Sequence, residues 1–310
     1  MKKALITGSQ GFVGHYLRQE LENNRYKVTG LDIQTGDGVI VADLLDQAAV
    51  KAIIAQVQPD VIFHLAGQAN VAKSWSIPQK TVEMNVVAAI NLMEAVRQNQ
   101  PDCRMVLIGS SDEYGNLGEA GKLVSETLET KPQTPYAVSK KAQEEMARVY
   151  VTAYGMNISM TRSFNHAGAG QGKGFLISDF ASGVVAVERG EQSCLKVGNL
   201  TSRRDFTHVR DVVRAYRLIG ERGQAGEVYN VGSGITYSAQ EILDKLCSLA
   251  QCRIAVEQDL AKMRPSDTPV ICCDHSKLTA HTGWQPQESL DVMLQETLEY
   301  YRGLSEKVTG

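Results

Sequence analysis

The chain has 310 residues, 43% hydrophobic and 22% charged, enough to bury a substantial core in one large or two modest domains. A net charge of -3 with no dense block of lysine and arginine argues against nucleic acid as a partner. No apolar run approaches the roughly 20 residues of a membrane-spanning helix, and Met1-Lys2-Lys3 passes into Ala4-Leu5-Ile6-Thr7 without a signal-peptide pattern; a soluble, cytoplasmic protein with no membrane partner is therefore expected.

The first half alternates β-like runs with amphipathic helical windows. Strands are predicted at Ala4–Thr7, Lys27–Asp32, Val39–Ala42, Val61–Leu65, Arg104–Ser110 and Asn157–Arg162, and helices over about Phe12–Asn24, Ala48–Gln56, Gln79–Arg97 and Pro135–Tyr154. That order describes an α/β fold with a doubly wound, Rossmann-like parallel sheet. Beyond Arg162 a glycine-rich stretch from Asn165 to Gly174 breaks the alternation, and a helical window follows from Phe175 to Glu188. Short strands (Val228–Val231, Arg253–Val256) then mix with helices (Val209–Ile219, Ala239–Leu249, Leu290–Tyr301), too short to build a second large sheet alone. The expected division is a dinucleotide-binding domain over residues 1–162, to which about 206–234 returns, and a smaller substrate-binding domain over most of 163–310. The six cysteines, Cys103, Cys194, Cys247, Cys252, Cys272 and Cys273, lack a Cys-x-x-Cys layout. They read as small buried hydrophobes, with a Cys272–Cys273 redox pair as the weaker alternative, and no metal site is expected.

Gly8, Gly11 and Gly14, with Phe12 and Val13 between them, follow the first strand and open a helix. In that context missing side chains let a pyrophosphate approach backbone N–H groups at a helix N-terminus. Asp32, ending the second strand, can accept both ribose hydroxyls and would repel a 2′-phosphate. It favours NAD(H), while the following Gln34-Thr35 loop leaves NADP(H) open. Asp43 and Leu44 can flank the adenine, although Asp43 reads equally well as a helix cap. Leu65, Ala66 and Gly67, where the fourth strand meets the crevice, should border the dinucleotide. His64 reads as a packed structural residue. Asn85 is either an exposed polar residue or the holder of a proton-relay water.

Thr134-Pro135 marks a helix start, with threonine as cap and proline at the first position. Tyr136 and Lys140 then share one helix face, where the ammonium can lower the phenol's pKa and contact the cofactor's ribose. Ser110, at the end of a strand that should neighbour the nicotinamide, can hydrogen-bond a carbonyl as hydride arrives while Tyr136 supplies the proton. Asp112 can assist proton transfer at carbon or orient substrate hydroxyls.

These residues resemble the extended short-chain dehydrogenase/reductase superfamily through almost the whole chain. His64-Leu65-Ala66-Gly67-Gln68, Arg162-Ser163-Phe164-Asn165-His166, Arg204-Asp205-Phe206, Val228-Tyr229-Asn230-Val231-Gly232, Met263-Arg264-Pro265 and Gly283-Trp284-Gln285-Pro286 look like its nucleotide-sugar branch. The pattern is most similar to the reductases of GDP-4-keto-6-deoxy-D-mannose, which make GDP-D-rhamnose. The resemblance puts Ser110, Tyr136 and Lys140 in the catalytic triad positions and Asp112 at the acidic position of related 4,6-dehydratases. Those dehydratases usually carry threonine and glutamate at these two places, so Ser110 with the shorter Asp112 favours a reductase. A second departure is Ala167-Gly168-Ala169-Gly170, where the reductases carry a bulkier residue and a proline, which bears on the shape of the sugar pocket.

For the nucleotide diphosphate, Arg204 and Arg264 are the planar cationic forks that suit phosphate oxygens. Asn165 matches a phosphate-binding asparagine of the branch, and Lys196, Gly198 and Asn199 match a segment near base and ribose. Phe175 can pack under the nucleotide, Ser74, read as a loop serine, can meet sugar hydroxyls or be only a local backbone partner, and Asp267 can pair with base or ribose. A homodimer through the helices at Gln79–Arg97 and Pro135–Tyr154 is expected by the same resemblance. It implies NAD(P)H-dependent reduction of a GDP-linked 4-keto-6-deoxy-sugar. Alternatives are a 4,6-dehydratase or 4-epimerase with tightly held cofactor, or a non-catalytic nucleotide-binding regulator on the same fold.

Overall fold

The computed structural model describes residues 1–116, 123–259 and 270–304. In chain order the first half contains β1 (Lys3–Thr7), α1 (Phe12–Asn23), β2 (Lys27–Asp32), β3 (Val39–Val41), α2 (Gln47–Val57), β4 (Val61–His64), α3 (Val71–Ser76), α4 (Pro78–Val82), α5 (Ala88–Asn99), β5 (Arg104–Ser110), β6 (Leu123–Val124), α6 (Pro135–Tyr154) and β7 (Ile158–Ser163). The second half contributes β8 (Asn165–Ala167), α7 (Leu176–Glu188), β9 (Leu195–Val197), β10 (Arg203–His208), α8 (Val209–Arg222), β11 (Val228–Val231), β12 (Thr236–Ser238), α9 (Ala239–Ser248), β13 (Val256–Gln258), β14 (Val270–Cys273), α10 (Ser276–Thr282) and α11 (Leu290–Gly303). No described helix is long and apolar enough to cross a membrane.

Among the described residues the main sheet has seven parallel strands in the order β11-β7-β5-β4-β1-β2-β3. Its interior strands bury both faces, so they are apolar without strict alternation. Along β1, Ala4 and Ile6 face the core under α1 and α8, while Leu5 faces the core under α2, α5 and α6. The order reverses between β1 and β4, the switch point where a doubly wound sheet opens a crevice at its carboxyl edge. The register aligns that edge: Thr7 lies opposite His64, and Ser110 opposite Ser163.

The second half builds a five-stranded sheet, β12-β10-β14-β6 with β8 beside β10, and a β9–β13 ribbon. Three-residue strands suffice because the sheet also recruits β6 from the first half and packs over a separate core of α7, α9 and α11. Asp205 knits this sheet internally. Its carboxylate accepts the N–H groups of Ser233 (2.9 Å), Gly234 (2.7 Å) and Cys273 (3.1 Å) and the Ser233 hydroxyl (2.7 Å).

Three expectations need correction. The helix expected over Gln79–Arg97 is α4 and α5 joined by a π-helical turn at Glu83–Val87. The strand expected at Arg253–Val256 is displaced to Val256–Gln258, where it pairs with β9. The segment around Ser74 is the helix α3, capped by Asn70, and not a loop.

Candidate active site

The glycine loop is shaped by close approach. Gly8 adopts a φ of 71°, and a Cβ there would stand 2.8 Å from the Ala66 nitrogen; one on Gly14 would stand 2.5 Å from the Gly8 carbonyl oxygen. Gly11 caps α1 without a side-chain hydrogen bond, and the first turn, with Phe12 and Val13, holds no acidic residue. Uncapped N–H groups at the positive end of a helix dipole fit a pyrophosphate, so this loop suits a dinucleotide. Asp32 is held at the loop's rim, accepting from Gln10 N at 2.9 Å and Gln34 N at 3.0 Å.

Asp43 accepts from Leu45 N at 2.9 Å and forms a local turn; the cap of α2 is Asp46, so the capping alternative for Asp43 is corrected. Leu44 is buried in the core beneath α2 and α5. Across the switch point, Thr7 Oγ1 receives the Ala66 N–H at 3.3 Å and pairs with His64 Nδ1 at 2.8 Å. Burial pushes the His64 imidazole down to about 3, so it is neutral and structural. Leu65 packs against the core under α1 and α8. Gly67 has a φ of 153°, and its absent Cβ would lie 2.6 Å from Asn85 Oδ1 and 3.9 Å from Lys140 Nζ.

At the carboxyl end of β5, Ser110 opens a short 3-10 turn, Ser111–Tyr114. Facing it, α6 begins at a Thr134 cap with Pro135 in its first turn, which buries Tyr136 and Lys140 on one face at 8% and 6% exposure. The Ser110 side chain lies near the phenol of Tyr136 and favours its phenolate. Lys140 Nζ donates to the Ile108 carbonyl at 2.7 Å and to Gln143 Oε1 at 3.2 Å. Burial lowers Lys140 to about 8, against the opposing charge of Glu113. Tyr136 moves the other way: burial first, then the Asp112 carboxylate, raises its pKa, and the Ser110 side chain only partly offsets this. The expectation that Lys140 holds the phenol's pKa down is thus corrected, because the ammonium is turned to Ile108 and desolvation of the phenolate dominates.

What several supporting residues contact escaped sequence reasoning, Asn85 among them although it was singled out there. Asn85, on the π-helical turn, is fully buried, so its reading as an exposed polar residue is overturned. Its Oδ1 accepts the Gln68 N–H at 2.7 Å, and its Nδ2 donates to the Gln68 carbonyl at 3.1 Å and Ser139 Oγ at 2.8 Å. It braces the Gly67–Gln68 backbone against the helix of Tyr136 and Lys140. Behind them, buried Arg162 on β7 donates to Glu144 at 2.8 and 2.9 Å and faces Glu113 at 3.6 Å. An arginine inside a strand run was the available signal; which acids it meets depends on the fold.

On the open side, Ser111, Asp112, Phe164, Asn165, Arg204, Asp205 and Ile271 line one small cleft. Of the predicted substrate residues, Asn165 and Arg204 therefore meet beside the Asp112 turn. Phe175 caps α7 and is partly exposed. Lys196 is exposed on β9, and Gly198 and Asn199 follow it; Asn199 Oδ1 accepts from Thr201 N and Oγ1 at 2.9 and 2.8 Å. These three do not line the cleft. Ser74 is buried in α3 and donates to the Val71 carbonyl at 2.6 Å, in keeping with its reading as a local backbone partner. Arg264 and Asp267 lie outside the described residues.

The family model for GDP-mannose 4,6 dehydratase matches residues 5–297. GDP-6-deoxy-D-mannose reductase of Pseudomonas aeruginosa is 32% identical over 298 residues, covering 96% of this chain and 96% of the relative. The solved structure of RMD from Pseudomonas aeruginosa complexed with NADPH superposes at a TM-score of 0.89 with 30% identity, covering 98% of this chain and 100% of that one. A UDP-glucose 4-epimerase from Thermus thermophilus, in complex with NAD, superposes at 0.87 with 27% identity over 97% and 99% of the two chains. A match that runs from the first strand into the last helix means that the chain belongs to the GDP-mannose 4,6-dehydratase family, within the NAD(P)-dependent extended short-chain dehydrogenases/reductases of nucleotide-sugar chemistry.

Proposed function

We propose that this enzyme reduces the 4-keto group of a GDP-4-keto-6-deoxy-sugar, turning GDP-4-keto-6-deoxy-D-mannose into GDP-D-rhamnose. The observation that carries it is the buried phenol of Tyr136 beside the Ser110 side chain at the carboxyl edge of the sheet, where burial favours the protonated form. That is the state a ketone reduction needs, because the developing alkoxide must take a proton. When bound, the nicotinamide supplies the hydride. Tyr136 donates its proton to the carbonyl oxygen, Ser110 hydrogen-bonds the same oxygen, and Lys140 holds positive charge where alkoxide character and cofactor ribose meet.

Residues Gly8 to Gly14 would cradle the pyrophosphate, with Leu65, Ala66 and Gly67 beside the dinucleotide and Asp43 and Leu44 near the adenine. Asp32 retains a second lone pair on each oxygen for ribose hydroxyls, which favours NAD(H) and leaves NADP(H) open. Asn165 and Arg204 would take the diphosphate, joined by Arg264. Lys196, Gly198, Asn199, Phe175 and Asp267 would hold base and ribose. On this reading residues 1–162 with 206–234 serve the cofactor and most of 163–310 the nucleotide sugar. We assign the enzyme to the cytoplasm as a homodimer. Val82 on α4 and Val138 and Val149 on α6 are 43%, 49% and 54% exposed, an apolar face suited to a second copy.

A second reading, a GDP-mannose 4,6-dehydratase, draws on the Asp112 carboxylate beside Tyr136. Supplying the purified enzyme with GDP-4-keto-6-deoxy-D-mannose and each reduced nicotinamide separates the two. Stoichiometric loss of the reduced cofactor's near-ultraviolet absorbance, with GDP-D-rhamnose identified by NMR, is expected. Unchanged absorbance with both cofactors refutes the reductase, and conversion of GDP-mannose without added reductant establishes the dehydratase.

A further inference from the structure

Ser110 is gripped at both its backbone and its side chain. Its Oγ accepts the Asp112 N–H at 3.2 Å, while the Glu113 carboxylate reaches back to accept the Ser110 N–H at 3.0 Å. This reciprocal cap fixes the serine's position and its χ1 together. With one lone pair engaged by Asp112, the hydroxyl proton and the other lone pair remain for Tyr136 and a carbonyl.

A cap on a short turn can be closed by a surface glutamate at little desolvation cost. Here the glutamate is fully buried. It lies so close under β5 that a Cβ on Gly109 would stand 2.7 Å from Glu113 Oε1. Its Oε2 faces Arg162 at 3.6 Å, and Arg162 in turn donates to Glu144 at 2.8 and 2.9 Å. Glu144 sits on α6 one turn beyond Lys140. The carboxyl of Glu113 therefore links the turn that carries Ser110 to the helix that carries Tyr136 and Lys140.

We propose that Glu113 is a positioning residue, whose buried carboxyl oxygen sets the angle of the Ser110 hydroxyl and ties the serine turn to α6. This role rests on the reading of Ser110 given above. Glu113→Leu and Glu113→Ala remove the acceptor, the second without inserting bulk. Glu113→Gln keeps an acceptor for Ser110 N and the size of the side chain.

The test is kcat and KM with GDP-4-keto-6-deoxy-D-mannose and NADH, well below each variant's melting temperature, alongside amide hydrogen exchange over residues 109–115. Leucine and alanine should lower kcat roughly 10- to 100-fold with KM little changed, as a misplaced group does. They should also speed exchange in that segment. Glutamine should restore both. In a Ser110→Ala background, Glu113→Leu should add almost nothing, because both changes remove the same contribution. Parental kcat in both Glu113→Leu and Glu113→Ala overturns the role, as does a loss that multiplies with that of Ser110→Ala, or a glutamine variant as impaired as leucine. Parental turnover in Ser110→Ala and Tyr136→Phe would instead sink the reading of the site. A slow Ser110→Ala beside a parental Glu113→Leu sinks this role alone.

Discussion

Replacing Arg162 with leucine should be among the most damaging single changes outside the glycine loop. The guanidinium is 3% exposed and is shared between Glu144, itself 3% exposed, and the fully buried Glu113. It also stacks over the Tyr114 ring at 4.8 Å. Breaking a buried pair from one side typically costs about 3–5 kcal/mol, because the remaining charge stays desolvated. Lys141 at 2.9 Å and Arg148 at 3.2 Å still reach Glu144, which argues for the lower end. About 3 kcal/mol at roughly 2 °C per kcal/mol for a chain of this size gives a fall in Tm of about 6 °C.

The pH dependence has a definite sign. Burial pushes the Glu144 carboxyl up, but the hydrogen bonds and charge of Arg162 outweigh it and hold the group below the ordinary carboxylate range. A depressed carboxyl contributes stability that is present above its unfolded pKa and lost as pH falls through the folded one. The deficit of Arg162→Leu should therefore be largest near neutrality and shrink in acid, as Glu144 protonates; Glu113, which burial pushes above the ordinary carboxylate range, is already protonated there. Differential scanning fluorimetry across that range measures it. A Tm within about 1 °C of the parent at neutral pH, against the ~6 °C expected, or a deficit that grows in acid, would refute the network's assigned weight. Adding Glu144→Met to Arg162→Leu should recover part of the loss, since no unmatched charge remains on α6.

Lys140 should show the reverse sign from a lysine stabilised by a partner. Its folded pKa of about 8 lies below its ordinary value, so the parent should gain stability over Lys140→Met as pH rises above 8; urea unfolding with no such gain would contradict this. Gly14→Ala should weaken NADH binding at least roughly tenfold by fluorescence titration, because a 2.5 Å approach to the Gly8 carbonyl must be relieved by opening the loop; parental affinity would show the loop to be soft. Asp205→Asn turns one acceptor oxygen into a donor facing N–H groups, and should cost about 1–3 kcal/mol in chemical denaturation, an unchanged midpoint being the contrary result.

The elements that were legible are those whose cause is local. Lys27–Asp32, Arg104–Ser110 and Val228–Val231 are strands at the expected bounds, because short apolar-rich runs ended by turn-forming residues suit strands of a parallel sheet covered on both faces. Pro135–Tyr154 also agrees, opened by the Thr134 cap and closed by Gly155 at a φ of 64°. The strand Asn165–Ala167 was not legible, because it exists only through pairing with Phe206–His208. Nor was the π-helical turn, whose extra residue carries no local signature. In the site, helical spacing was enough to bring Tyr136 and Lys140 onto one face. The direction of the lysine's ammonium was not, since it is set by the Ile108 carbonyl on another element. Glu113 was hidden for the same reason: a charged residue in a turn reads as solvated until Arg162 is seen beneath it.

The pairing of Leu123–Val124 with Cys272–Cys273 bears on how relatives of this enzyme can be recombined. The strand that receives β6 also receives β10, with Arg204 opposite Ile271. A stretch close after the serine turn and the strand carrying the cleft arginine thus belong to one hydrogen-bonded fabric. A chimaera that exchanges only residues beyond 162, to import another sugar preference, would splice foreign strands onto a resident edge. Transplanting residues 116–124 with the C-terminal half keeps both sides of that seam from one parent, and is the crossover design this topology favours.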